Sequence, residues 1–181
     1  MDRRKKYTKM VLKESLIILL KEKSISNITI KELCEDADIN RSTFYSHYKD
    51  VYDLLYQIED DLLEDMNNTL KSYNHNKDEE ALEMTEKLLE YVSLNRDICQ
   101  TLLGEHGDVS FQKRVMEIAR TYMMLEIEDI DSGSSKYVSV FTLSGCIHVI
   151  KEWLKNGVDQ PPKEMAKIII NVTKRGLSSF E

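Results

Sequence analysis

Residues 29–55 read TIKELCEDADINRSTFYSHYKDVYDLL, and the way this stretch folds decides the rest. Thr29 suits a helix N-cap, and Glu32, three residues on, has the spacing to reach back and close a capping box. Ile30, Leu33, Cys34 and Ala37 then fall on one face of a helix. Asp38 stands where the chain must turn, and Asp is among the few non-glycine residues that tolerate a left-handed backbone. Asn40 caps the next helix, whose inward side chains are Phe44 and Tyr48, one turn apart. Its other positions are Arg41, Ser42, Thr43, Tyr45, Ser46 and His47. These are short or hydrogen-bonding side chains with one fixed charge among them. A short helix braced by a second helix and faced with donors is what reading a DNA major groove requires. The stretch therefore predicts a helix-turn-helix.

The run Arg41-Ser42-Thr43-Phe44-Tyr45-Ser46-His47-Tyr48-Lys49-Asp50, followed by Asp53-Leu54-Leu55, resembles the recognition helix and following turn of the TetR family of bacterial transcription regulators. Thr29 matches the Thr that caps the preceding helix in that family, and the likeness covers roughly residues 8 to 55. There are two departures. Asp38 occupies the turn position that is usually Gly, and Val51 stands where a phosphate-gripping Lys usually opens the fourth helix. Lys49 is the candidate to replace it. The C-terminal half, through Phe141, Gly145, Ile150 to Leu154, Gly157 and Pro162 to Ala166, is also similar to the subgroup that includes dihydroxyacetone-utilisation regulators. The resemblance implies an all-α protein of about nine helices. A three-helix DNA-binding head (1–50) would carry a larger effector-binding and dimerisation body (51–181).

Whole-chain composition agrees. At 181 residues, with 41% hydrophobic and 31% charged residues, the balance is that of a globular protein. Two Pro and six Gly argue for long helices, and no apolar run approaches the roughly 18 residues of a membrane span. No cleavable leader follows the basic N-terminus, so a cytoplasmic location is expected. The net charge of −7 looks wrong for a DNA-binding protein until it is divided. Residues 1–57 hold eleven Lys/Arg against nine Asp/Glu, whereas the remainder holds fourteen against twenty-three. The acid belongs to the body. Arg3, Arg4, Lys5, Lys6 and Lys9 cluster ahead of a first helix expected over residues 7–23, as an arm able to contact phosphates or the minor groove.

Further along, the fourth helix should run from about Asp50 to Ser72 and share both cores, with Leu54, Leu55 and Ile58 towards the head and Leu62, Leu63, Met66 and Leu70 towards the body. A polar break over 74–78 precedes helices at 81–93 and 95–103. A long helix should follow from Asp108 to about Asp131, and residues 131–135 read as a loop. Residues 136–156 are apolar on nearly every side, so that helix must be covered all round. Gly157 ends it, and Pro162 suits the first turn of a last helix. These two final helices carry more apolar surface than one body can hide, which predicts a two-fold homodimer built on them. Two heads about one DNA turn apart would then read an inverted repeat.

Other chemistry is weakly signalled. No phosphate loop, nucleophile elbow or zinc-protease motif occurs, so no enzyme, cofactor or metal is expected. Glu105, His106 and Asp108 read as a turn and helix cap, His148 and Glu152 as a polar pair in the core, and Asp60-Asp61 as a solvent face. Cys34, Cys99 and Cys146 read as buried free thiols. The resemblance implies a small-molecule effector pocket, for which Met84, Tyr91, Phe111, Tyr122, Met123, Phe141 and Trp153 are candidates, each equally explained as core. The leading expectation is a ligand-released repressor on a double-stranded operator. Its DNA contacts would come from Thr29, Asn40, Arg41, Ser42, Thr43, Tyr45, Ser46, His47 and Lys49, together with Arg3 to Lys6. An activator or adaptor whose body binds a protein is the alternative.

Overall fold

The computed structural model describes residues 3–71, 78–123 and 132–177. Among them are nine α-helices, one 3-10 turn (Ile25–Asn27) and no strand: α1 (Arg3–Glu22), α2 (Ile30–Asp36), α3 (Arg41–Tyr45), α4 (Val51–Lys71), α5 (Asp78–Leu94), α6 (Arg96–Leu102), α7 (Val109–Met123), α8 (Ser132–Lys155) and α9 (Pro162–Leu177).

Helix α1 starts four residues before the sequence suggested. Lys and Arg are strong helix formers and nothing between residues 3 and 22 breaks the helix, so the basic cluster is its first turns and not an arm. Leu12, Leu16, Leu19 and Leu20 are buried. Half of the expected capping box forms at α2: the Thr29 hydroxyl accepts the Glu32 N–H at 3.2 Å. The Glu32 carboxylate turns the other way and pairs with Lys23, which ties the end of α1 to α2 and holds that carboxyl below its usual range. Asp38 sits at φ 51°, in the left-handed region its position demanded. Asn40 caps α3 by accepting the Ser42 N–H at 2.9 Å.

One hydrophobic cluster runs from Leu12 and Phe44 through Leu54, Ile58, Leu62 and Met66 of α4 to Leu89, Leu102, Phe111, Leu154 and Ile169. Helix α4 is thus shared between head and body. The head has a second attachment, because α1 also packs on α6. Lys21 of α1 pairs with Asp97 of α6 at 3.1 Å. The neighbouring Arg96 donates through Nε to the Leu154 carbonyl at 3.2 Å, in the last turn of α8. That turn closes with Gly157 N–H on Leu154 O (3.1 Å) and Val158 N–H on Trp153 O (2.9 Å), with Gly157 at φ 88°. This is a Schellman arrangement, in which the glycine takes the left-handed position.

Three expectations fail here. Ser132 to Ser135 belong to α8 and not to a loop. Serine is tolerated in a first turn, where the N–H groups lack helical partners anyway, and Ser139 Oγ donates to Ser135 O at 2.7 Å. His148 and Glu152 are both exposed in the single chain: His148 Nδ1 lies 2.9 Å from Ser144 O, and Glu152 faces Lys155. Among the described residues no helix of the same chain lies over the outer side of α8. For the same reason the face is not covered all round, and Tyr137, Val140, Phe141 and Val149 are exposed. The 74–78 break falls largely, and the end of the helix from Asp108 wholly, outside the described residues.

Candidate DNA-binding face and body cavity

The second helix of the motif is five residues long and hangs on two aromatic anchors. Phe44 is fully buried, and Tyr48, just beyond the helix, packs against it with ring centroids 5.7 Å apart. Burial pushes the Tyr48 phenol up to about 12, so it stays neutral. With these two side chains inward, the opposite side presents Arg41, Ser42, Tyr45 and Ser46 to solvent, with Thr43 and His47 at its margins; Tyr45 is 59% exposed. Two of the short side chains are engaged locally: Ser42 Oγ donates to Asn40 Oδ1 at 3.0 Å and Ser46 Oγ to Thr43 O at 2.6 Å. Among the described residues no ion pair occupies Arg41 or Lys49. Thr29 and Asn40 are exposed, but both are bound into helix caps, so their first role is to fix the two helices.

Lys49 is held by a small device that sequence reading missed. Asp50 Oδ1 accepts the Asp53 N–H at 2.8 Å, and Asp53 Oδ2 accepts the Lys49 N–H at 2.9 Å. The bond from Lys49 is the main reason the Asp53 carboxyl lies below its usual range. The start of α4 and the lysine before it are therefore set relative to one another. The D-x-x-D spacing was the available signal. Val51, where the family pattern has Lys, is buried in the core. Lys9 stands 5.9 Å over the Tyr48 ring, which brings α1 against the end of α3. Arg3 to Lys6 are exposed and lie within about 9 Å of Lys9 along the helix axis, at roughly 1.5 Å per residue.

The body holds a partly open cavity of about 140 Å³ between α4, α5, α7, α8 and α9. Met66, Met84, Leu89, Ile118, Tyr122 and Cys146 are among its walls. Of the seven side chains suggested by sequence, Met84 and Tyr122 are there. Tyr91 lies elsewhere on α5 and donates to Asp65 Oδ2 at 3.2 Å. Phe111 and Trp153 are packed core, with Trp153 Nε1 donating to Gln160 O at 2.9 Å. Phe141, 81% exposed, points away from the body, and the Met123 side chain lies outside the described residues.

The walls of α4 and α7 are joined by a buried charge that sequence reading did not find. Arg114 of α7 pairs with both Glu59 and Asp60 of α4 and stacks 4.8 Å from the Tyr56 ring. Asp60 is therefore not simply a solvent face. Glu59 is 1% exposed, and burial outweighs the nearby guanidinium, raising its carboxyl to about 7. Its place between Leu55 and Leu62 on the apolar stripe was a legible sign of burial. Asp108 is the helix cap it was expected to be, accepting the Ser110 N–H at 2.9 Å. Among the described residues no cluster of three metal-ligating side chains occurs, and no helix is long and apolar enough to cross a membrane.

Residues 79–175 match a family model described as the C-terminal region of a transcriptional regulator, of TetR type. A helix-turn-helix transcriptional regulator of Bacillus subtilis strain 168, YxbF, itself uncharacterised, is 34% identical over 59 residues; the match takes in 33% of this chain and 16% of that protein, so the chain covers only a small part of this relative. A TetR transcriptional regulator from Streptococcus agalactiae 2603V superposes with a TM-score of 0.67 at 25% identity, over 95% of this chain and 96% of that one. The dihydroxyacetone kinase operon activator DhaS shares the fold, with a TM-score of 0.58 at 14% identity over 96% and 98% of the two chains. With the match across more than half its length and the all-helical architecture around it, the chain belongs to the TetR family of transcriptional regulators, which are DNA-binding proteins and not enzymes.

Proposed function

We propose that this chain is a cytoplasmic, homodimeric repressor that binds an inverted-repeat operator and is released by a small molecule. One observation carries the reading: α4 begins at the pinned Lys49 turn beneath the DNA-facing helix and ends as a wall of the cavity, through Met66 and Leu70. A ligand that favours a different α4 position would change how the head is presented, provided it binds the non-DNA geometry more tightly. Residues 1–50 act as the DNA-binding part and 51–181 as the effector and dimerisation part. Arg41, Ser42, Thr43 and Tyr45 face bases, with Arg41 suited to guanine. Thr29, Tyr45, His47, Lys49 and the basic turns of α1 lie along phosphates. Asn40 and Ser46 support the helix that makes these contacts.

The dimer reading is supported by the exposed stripe of Tyr137, Phe141 and Val149 on α8 with Ile168 and Val172 on α9, which line an apolar groove. Packing this stripe on its two-fold mate would cover it. The likeness of the C-terminal half to dihydroxyacetone-utilisation regulators belongs to the same proposal. Selection of duplexes from a random library by the full chain, followed by gel-shift titration, tests it. A two-fold symmetric site should emerge. Arg41→Ala and Tyr45→Ala should each lose about 1–3 kcal/mol of affinity, the worth of a base contact, while circular dichroism stays unchanged. An asymmetric site, or full affinity in both variants, overturns the assignment.

The same groove favours a second reading, an activator or adaptor whose body binds a protein. A chain that is monomeric at micromolar concentration would support it.

A further inference from the structure

We infer that the body cavity takes an uncharged, apolar molecule of about six to eight non-hydrogen atoms, the size of a single ring or a six-carbon chain. The inference rests on the reading of this cavity as the effector site and goes further by naming the ligand class. Volume sets the size: at about 140 Å³ the cavity is close to engineered apolar cavities of roughly 150 Å³, which stay dry and bind benzene. The walls set the polarity. They are supplied by Met, Leu, Ile, Val and Ala side chains of five helices, interrupted by few polar groups. Several of those groups are already spent as donors within the protein. Thr85 Oγ1 donates to Ala81 O at 2.8 Å, and Tyr122 OH to Asn67 Oδ1 at 2.8 Å. Among the described residues no acidic side chain lines the space, and Lys174 is the single charged residue on its wall. A carboxylate or ammonium ligand would be stripped of water against such a surface with few groups to replace it.

Two methionines on the described wall, Met66 and Met84, provide the readout. The methyl-labelled 181-residue chain, with the Met66 and Met84 signals assigned, is titrated with toluene, 1-hexanol, sodium hexanoate and hexylammonium chloride. Toluene and 1-hexanol should shift both methyl signals and raise the melting temperature. The two ions should bind at least tenfold more weakly. Ala119→Leu, which adds volume to the wall, should abolish the toluene shifts while the chain remains folded. If that variant does not fold, the ranking of the four probes in the native chain decides alone. Tighter binding of hexanoate than of 1-hexanol, pointing to Lys174 as an anion partner, overturns the inference. So do methyl signals that neither toluene nor 1-hexanol moves near its solubility limit. Binding of toluene and 1-hexanol with no change in affinity for the selected duplex upholds the ligand class and instead defeats the release mechanism.

Discussion

Replacing Glu59 by Gln removes a charge that the fold has taken out of water, and its effect should depend on pH. Two influences compete at this carboxyl. Arg114 pairs with it and favours ionisation, whereas burial beneath α7 opposes it; burial prevails, and the group is raised from 4.5 to about 7. A folded-state value above the unfolded one means that the native protein holds the proton more tightly. The stabilisation is then complete below pH 4.5 and fades as pH rises towards 7. At about 1.4 kcal/mol per pKa unit, the ionised carboxylate costs the native state about 3 kcal/mol relative to its protonated form. Among the described residues, Glu59 Oε1 and Arg114 Nε are also buried without hydrogen-bond partners, which adds to the penalty. Urea denaturation at fixed protein concentration, at pH 5 and pH 8, measures the difference. Wild type should lose up to about 3 kcal/mol from this group between the two, and Glu59→Gln should lose none of it. The variant should therefore match or exceed wild type at pH 8. By contrast, Arg114→Met strands the carboxylate and should cost about 3–5 kcal/mol at pH 8. A Gln variant that is several kcal/mol weaker at pH 8 would show that the guanidinium prevails over burial, and the account of this site would be wrong.

Phe141→Glu places a charge in the exposed α8 stripe and should convert the proposed dimer to monomers in sedimentation velocity, with helix content intact. Asp50→Ala removes the cap of α4 and should cost about 1 kcal/mol in denaturant unfolding, while loosening Lys49 and weakening all duplexes alike. The double variant Lys5→Ala, Lys6→Ala should lower the slope of log affinity against log salt by about 0.9 for each phosphate no longer neutralised, without changing which site is selected.

What the sequence made legible was local. Thr29, Asp38 and Asn40 declare themselves because caps and turns depend on a few adjacent residues, and Phe44 and Tyr48 because a helical turn spaces them. The unforeseen features depend on distant parts of the chain. Arg114 meets Glu59 across 55 positions, and only packing of α7 on α4 makes that carboxyl buried. Phe141 and Trp153 read alike as aromatic residues on one apolar helix; the fold sends one outward and locks the other against Gln160. Ser132 to Ser135 misled through composition, since serines suit a loop and a first helical turn equally well. Met84 and Tyr122 stand on the cavity wall while Tyr91, Phe111, Phe141 and Trp153 do not, because periodicity identifies an inward face without saying whether it meets a neighbour or a gap.

The adjacent residues Arg96 and Asp97 grip two different helices, one the end of α8 and the other the end of α1. The reading head is consequently moored twice, once through the long shared helix and once through this short strap. A displacement of α6 would therefore reach the head through α1 as well as through α4. The strap ends on the helix that carries the exposed stripe, so if that stripe is the subunit contact proposed above, sliding there would be delivered to both heads at once and with the same sense.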